Sequence, residues 1–62
     1  MYNKIIERWN SNLRSGNQRR GQALFNAIAE CNFSLAVEII NTDLDCFFDD
    51  SIIPQTLEFI KK

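Results

Sequence analysis

Apolar residues recur along the start of the chain at Tyr2, Ile5, Ile6, Trp9 and Leu13, a spacing of i, i+3, i+4, i+7 and i+11 that lines one side of an α-helix. Lys4, Glu7, Arg8, Asn10, Ser11 and Asn12 fill the rest of the arc, so the pattern predicts an amphipathic helix over 3–13. The polar run Arg14-Ser15-Gly16-Asn17 breaks the period and reads as a turn, with Ser15 or Asn17 able to cap the next helix. That second helix is predicted over 18–31. There Leu24, Phe25, Ala27, Ile28 and Cys31 gather on one side, and Gln22, Asn26 and Glu30 form a polar row. Gly21 inside it costs about 1 kcal/mol relative to alanine, which points to a frayed first turn or to a neighbouring helix that approaches closely.

Residues 33–40 fit two periods. Phe33, Leu35, Val37 and Ile39 alternate as in a strand, whereas Phe33, Ala36, Val37 and Ile40 match a helix. No strand partner stands elsewhere in the chain, and Asn32 is a good N-cap just before the run, so a third helix is predicted over 33–41. Its polar positions are confined to Ser34, Glu38 and Asn41, and the wide apolar remainder makes it the expected central, most buried element. Residues 42–50 read as an acidic, aromatic loop in which Thr42 and Asp45 partly imitate a capping box and Leu44, Phe47 and Phe48 pin the loop to the core. A last helix is predicted over 52–61, with Ser51 as N-cap, Pro54 in the first turn, and Ile53, Leu57 and Ile60 as its apolar row. The fold class is therefore all-α, with four short helices in a single domain spanning 1–62.

Composition supports folding. Of 62 residues, 45% are hydrophobic and the net charge is −1, far from the regime in which chains stay disordered. A chain this short buries only about 60% of its unfolded surface, which favours dense apolar packing or association. No apolar run approaches the roughly 18 residues of a membrane span, and no secretory pattern precedes Trp9, so the expected compartment is the cytoplasm. Cys31 and Cys46 belong to no CxxC pair and are expected as reduced, partly buried thiols.

The blocks Gly21-Gln22-Ala23-Leu24-Phe25-Asn26-Ala27, Thr42-Asp43-Leu44-Asp45, Phe47-Phe48-Asp49-Asp50, Ile53-Pro54 and Leu57-Glu58-Phe59 succeed one another in order between residue 20 and residue 60. In this pattern the chain resembles a group of short, uncharacterised bacterial and mobile-element proteins of phage-like type. The resemblance implies a compact helical domain in a cytoplasmic bacterial or phage setting, and no particular activity. The group commonly carries Pro where this chain has Cys46, so a loop stiffened by that Pro does not transfer.

Candidate chemistry narrows quickly. Without His, and with two unpaired Cys, the chain lacks the usual parts of a nucleophile-and-base pair or a zinc site; no enzymatic activity, metal or cofactor is expected. Asp43, Asp45, Asp49 and Asp50 cluster in sequence, but an EF-hand loop counted from Asp43 would put Phe48 where Gly is needed and Pro54 where Glu is needed. Asp49 and Asp50 instead suit the start of a helix.

Charge is uneven. Residues 1–21 hold Lys4, Arg8, Arg14, Arg19 and Arg20 against Glu7, while residues 22–60 hold seven acidic side chains and no basic one. Arg14, Arg19 and Arg20 beside Trp9 are candidates for contacting nucleic-acid phosphates, opposed by a sequence pI near 5.1. A helix-turn-helix reading fails because the third helix offers no Arg, Lys or Gln to a groove. An acidic DNA mimic does not fit the balanced charge, and the first helix's apolar stripe is needed in the core rather than on a membrane surface. The expected function is a small protein-binding or regulatory module that meets another protein, or a second copy of itself, through Phe47, Phe48, Asp49 and Asp50; the alternative is nucleic-acid binding through the three arginines.

Overall fold

A computed structural model describes residues 1–61. Four α-helices run in order: α1 (Tyr2–Arg14), α2 (Arg20–Cys31), α3 (Phe33–Ile39) and α4 (Ile53–Lys61), the last entered through a 3-10 turn at Asp50–Ile52. No strand occurs among the described residues, and the fold is all-α as the periodicities predict. The strand-or-helix ambiguity of 33–40 resolves to helix at its cap: the Asn32 side chain accepts a hydrogen bond from Leu35 N at 3.2 Å. The helix stops at Ile39, two residues short of expectation. Ile40 is already extended, Asn41 takes the left-handed conformation at φ 61° that asparagine tolerates, and the Thr42 hydroxyl donates to Ile39 O at 2.6 Å.

The central element is α2 and not α3. Ala23, Leu24, Ala27 and Ile28 are fully buried, and α2 packs against α1, α3 and the 3-10 turn. From the other elements, Ile5, Trp9, Leu35, Ala36, Ile39, Cys46, Ile53 and Ile60 close the core, each large aliphatic side chain contributing about 1.5–3 kcal/mol by its burial. The apolar arc of α3 is wider than its contact with the body. Only the Leu35, Ala36 and Ile39 side is covered, and Phe33, Val37 and Ile40 face outward.

The start of α2 also differs from expectation. The helix begins at Arg20, with Arg19 as an N-cap whose side chain makes no capping bond. Ser15 serves α1 instead, its hydroxyl donating to Asn12 O at 2.6 Å, and Gln18 accepts from the Asn26 side chain at 3.0 Å. An amide of the first turn is satisfied from far away: Gly21 N donates to Asp50 Oδ1 at 2.9 Å. The Cys46 thiol donates to Gly21 O at 3.3 Å, and a Cβ at residue 21 would run into the Cys46 carbonyl and the Asp50 carboxylate. Gly21 therefore marks neither a frayed turn nor a helix crossing, but the seat of the 42–50 loop.

At the far end Asp49, rather than Ser51, is the cap: its carboxylate accepts from Ser51 N at 3.0 Å and leads through the 3-10 turn to α4. Thr56, absent from the expected apolar row, is fully buried; its hydroxyl is shared between Leu44 O at 2.8 Å and Ile52 O at 3.2 Å, which ties the loop to α4.

Gly21→Ala is expected to destabilise the fold by about 1–3 kcal/mol in urea titration, because the overpacked backbone contact outweighs alanine's roughly 1 kcal/mol helical advantage. A variant as stable as the natural chain, or more so, would contradict the close seat.

Candidate functional site

The loop between α3 and the 3-10 turn is built around one carboxylate. Asp45 accepts from Asn41 N at 2.9 Å through one oxygen and from Phe47 N at 3.0 Å through the other, while Leu44 N donates to the Thr42 hydroxyl at 3.1 Å. Thr42 caps a turn through Leu44 N, but the expected capping box does not form: Asp45 N donates to Thr42 O, and the Asp45 carboxylate accepts from Asn41 N instead of Thr42 N. The result is a fixed path that carries two phenylalanines to the surface.

Phe47 is half-buried, its ring edge-on to Phe25 with centroids 5.7 Å apart. Phe48 meets Phe47 at 4.7 Å and is 83% exposed, so it does not pin the loop to the core as expected; Leu44 does so directly, and Phe47 only through its contact with Phe25. Trp9, in contrast, is buried and donates through its indole N–H to Arg20 O at 2.9 Å.

Of the four candidate binding residues, Phe47 and Phe48 thus form an aromatic pair on the outside of the loop. Asp49 and Asp50 are exposed yet engaged. The Ser51 hydroxyl, ahead of the Ser51 amide, holds the Asp49 carboxyl below its ordinary range. Asp50 caps Gly21 N and lies 3.9 Å from the Arg19 guanidinium.

Three apolar residues that the hydrophobic pattern assigns to the core extend this surface instead. Phe33 is 71% exposed, Val37 54% and Ile40 49%, and their i, i+4, i+7 spacing puts them on one side of α3. Ile40 joins this stripe to the aromatic pair, since Phe25, Ile40, Asn41, Asp45, Phe47 and Phe48 together line an apolar cleft of about 230 Å³. A signal was present in the sequence: α3 has apolar residues over more of its circumference than one packing contact can cover.

A second, broader concavity of about 480 Å³ lies beside Thr42, Asp43, Leu44, Asp45, Asp49, Ile52 and Gln55. The Asp45 and Asp49 carboxylates there are taken up by backbone amides, and no group of three acidic, Cys or His side chains is placed to hold a metal ion among the described residues.

The three arginines are separated in role. Arg14 sits exposed at the end of α1. Arg19 donates to Phe47 O at 2.5 Å, and the Arg20 guanidinium lies 5.5 Å over the Trp9 ring. Elsewhere in the basic third, Arg8 makes a two-pronged pair with Glu30 at 3.1 and 3.0 Å. Arg8, followed by Asn12, holds the Glu30 carboxyl below its ordinary range; both partners are largely solvated, so the pair contributes little to stability.

The two cysteines diverge as well: Cys31 is exposed, and Cys46 is free and buried. Burial pushes the Cys46 thiol above its usual range. No helix among the described residues is long and apolar enough to cross a membrane. Comparison with protein families, curated proteins and solved structures gives no match to this chain.

The Cys46 shift sets a pH dependence. With the thiol held protonated in the fold, the unfolded chain loses its proton first. Stability is retained below the ordinary thiol range, about pH 8.5, and falls as pH rises beyond it. Unfolding titrations between neutral and strongly alkaline pH are expected to show this decline, with Cys46→Ala less stable throughout but flatter in that window. An identical slope in both chains would place the alkaline loss elsewhere.

Proposed function

We propose that this chain is a small, non-catalytic binding module that recognises another protein through Phe33, Val37, Ile40 and Phe48, flanked by Phe47 and the carboxylates of Asp49 and Asp50. The observation that carries this reading is the exposure of Phe48, 83% open to solvent while braced by Phe47 at 4.7 Å. A side chain held out in this way favours contact over packing. With the α3 stripe, four large apolar side chains are about half exposed or more on this part of the molecule, and an exposed apolar patch on a monomer is often functional.

A non-catalytic role is supported by the chemistry on hand: of the carboxylates in the broader concavity, those of Asp45 and Asp49 are committed to backbone amides, and its walls are open. The likeness to short phage-like proteins is compatible with a cytoplasmic bacterial setting. Nucleic-acid binding through Arg14, Arg19 and Arg20 has weaker support, because Arg19 and Arg20 are engaged with Phe47, Asp50 and Trp9.

The test is affinity capture from bacterial lysate, run with and without nuclease, with the natural chain and with a Val37→Ser, Phe48→Ser variant. Both substitutions remove exposed side chains and should leave helix content unchanged by circular dichroism. A discrete protein retained by the natural chain and lost by the variant is the expected result. Equal retention by both would contradict the assigned surface, and recovery of nucleic acid that disappears with nuclease would favour the arginines.

A further inference from the structure

We infer that the occupant of this surface is a cationic amphipathic helix, a short segment with leucine-like residues on one side and lysine or arginine beside them. The inference rests on the binding-module reading and adds the chemistry of the partner. Its apolar half comes from shape. The α3 stripe of Phe33, Val37 and Ile40 runs into the cleft of about 230 Å³ between Ile40, Phe25, Phe47 and Phe48. A stripe that ends in a pocket suits a helix presenting anchors at i, i+3, i+4 and i+7.

The basic half comes from charge. Every charged residue from 22 to 60 is acidic; Asp45 stands in the wall of the cleft, and Glu38 is exposed on α3, roughly 100° round the helix from Val37. Asp43 and Asp49 line the adjoining concavity. Among these aspartates Asp50 pairs with a cation, Arg19 at 3.9 Å, which also donates to Phe47 O and is the one basic side chain at this rim. An apolar surface whose rim is predominantly of one sign selects partners of the other sign and speeds their encounter.

The same charge disfavours a second copy as the natural occupant, since two-fold pairing of this surface would bring the Asp45 and Asp49 sides of two acidic molecules together. The one basic amphipathic segment of the chain, α1, already buries its anchors Ile5 and Trp9 in its own core, so it has no apolar side left to offer.

The probe is a fluorescein-labelled peptide of leucine and lysine in helical spacing, about 14 residues or four turns long. It is compared with a glutamate-for-lysine counterpart and with a scrambled leucine–lysine peptide, by fluorescence anisotropy in low and physiological salt. The natural chain is expected to bind the lysine helix at least about tenfold more tightly than either comparison peptide, with affinity weakening as salt rises. Val37→Ser with Phe48→Ser is expected to remove at least about tenfold of that affinity, equivalent to about 1.4 kcal/mol.

Equal binding of the glutamate or scrambled peptide, or undiminished binding by the double variant, would overturn the inference. So would dimerisation in sedimentation that the double variant abolishes, because the surface would then belong to a second copy. If lysate capture still depends on Val37 and Phe48 while the lysine helix does not bind, the partner chemistry is wrong and the binding surface stands. If neither depends on them, both fail.

Discussion

The helix at the centre of this fold begins without a cap of its own. Arg19, at the N-cap of α2, makes no side-chain bond to the first turn, and the amide of Gly21 is satisfied by Asp50, 29 residues further on. Negative charge at a helix N-terminus is favourable by about 0.3–1 kcal/mol, and here the carboxylate closes a long loop as well. The arrangement requires glycine at 21, because the Cys46 carbonyl occupies the space of a β-carbon, and it buries the Cys46 thiol against Gly21 O. Arg19 reinforces the seat through Phe47 O and Asp50. One point on α2 thereby fixes the loop that carries the aromatic pair.

The exposed apolar surface is a consequence of this anchoring. Since the loop and the 3-10 turn pack on the beginning of α2, they leave the outer side of α3 uncovered. Phe47 is held against Phe25, which turns Phe48 outward beside Ile40. A domain with so little interior has an incentive to bury every apolar side chain, yet Phe33, Val37, Ile40 and Phe48 stay in solvent. These side chains contribute little to the isolated fold, and the proposed recognition of a partner is the role that would account for them.

Much of the architecture was legible in the sequence because its signals are local. The stripe from Tyr2 to Leu13, the Asn32 cap and Pro54 just inside α4 each depend on a few neighbouring residues, and each is realised. What was not legible is non-local. The cost of Gly21 was visible, but its reason lies in Cys46 and Asp50. The tandem aspartates read as helix-start charges; Asp49 acts so, while Asp50 serves a different helix. In α3 the width of the apolar arc was plain. Which half meets the core depends on where α2 lies, so the pattern alone places Phe33 and Val37 in the interior and draws the site too small.

The most direct measurement is amide hydrogen exchange at Gly21 by NMR, in the natural chain and in Asp50→Ala. If Asp50 caps α2 and seats the loop, Gly21 N–H is protected in the natural chain even though it lies in a first turn, where helical amides have no partner of their own. In Asp50→Ala that protection is expected to fall, together with that of Asn41 and Phe47 in the loop. Exchange of Gly21 in the natural chain at the rate of an unprotected amide would contradict the clamp on which the presented surface depends.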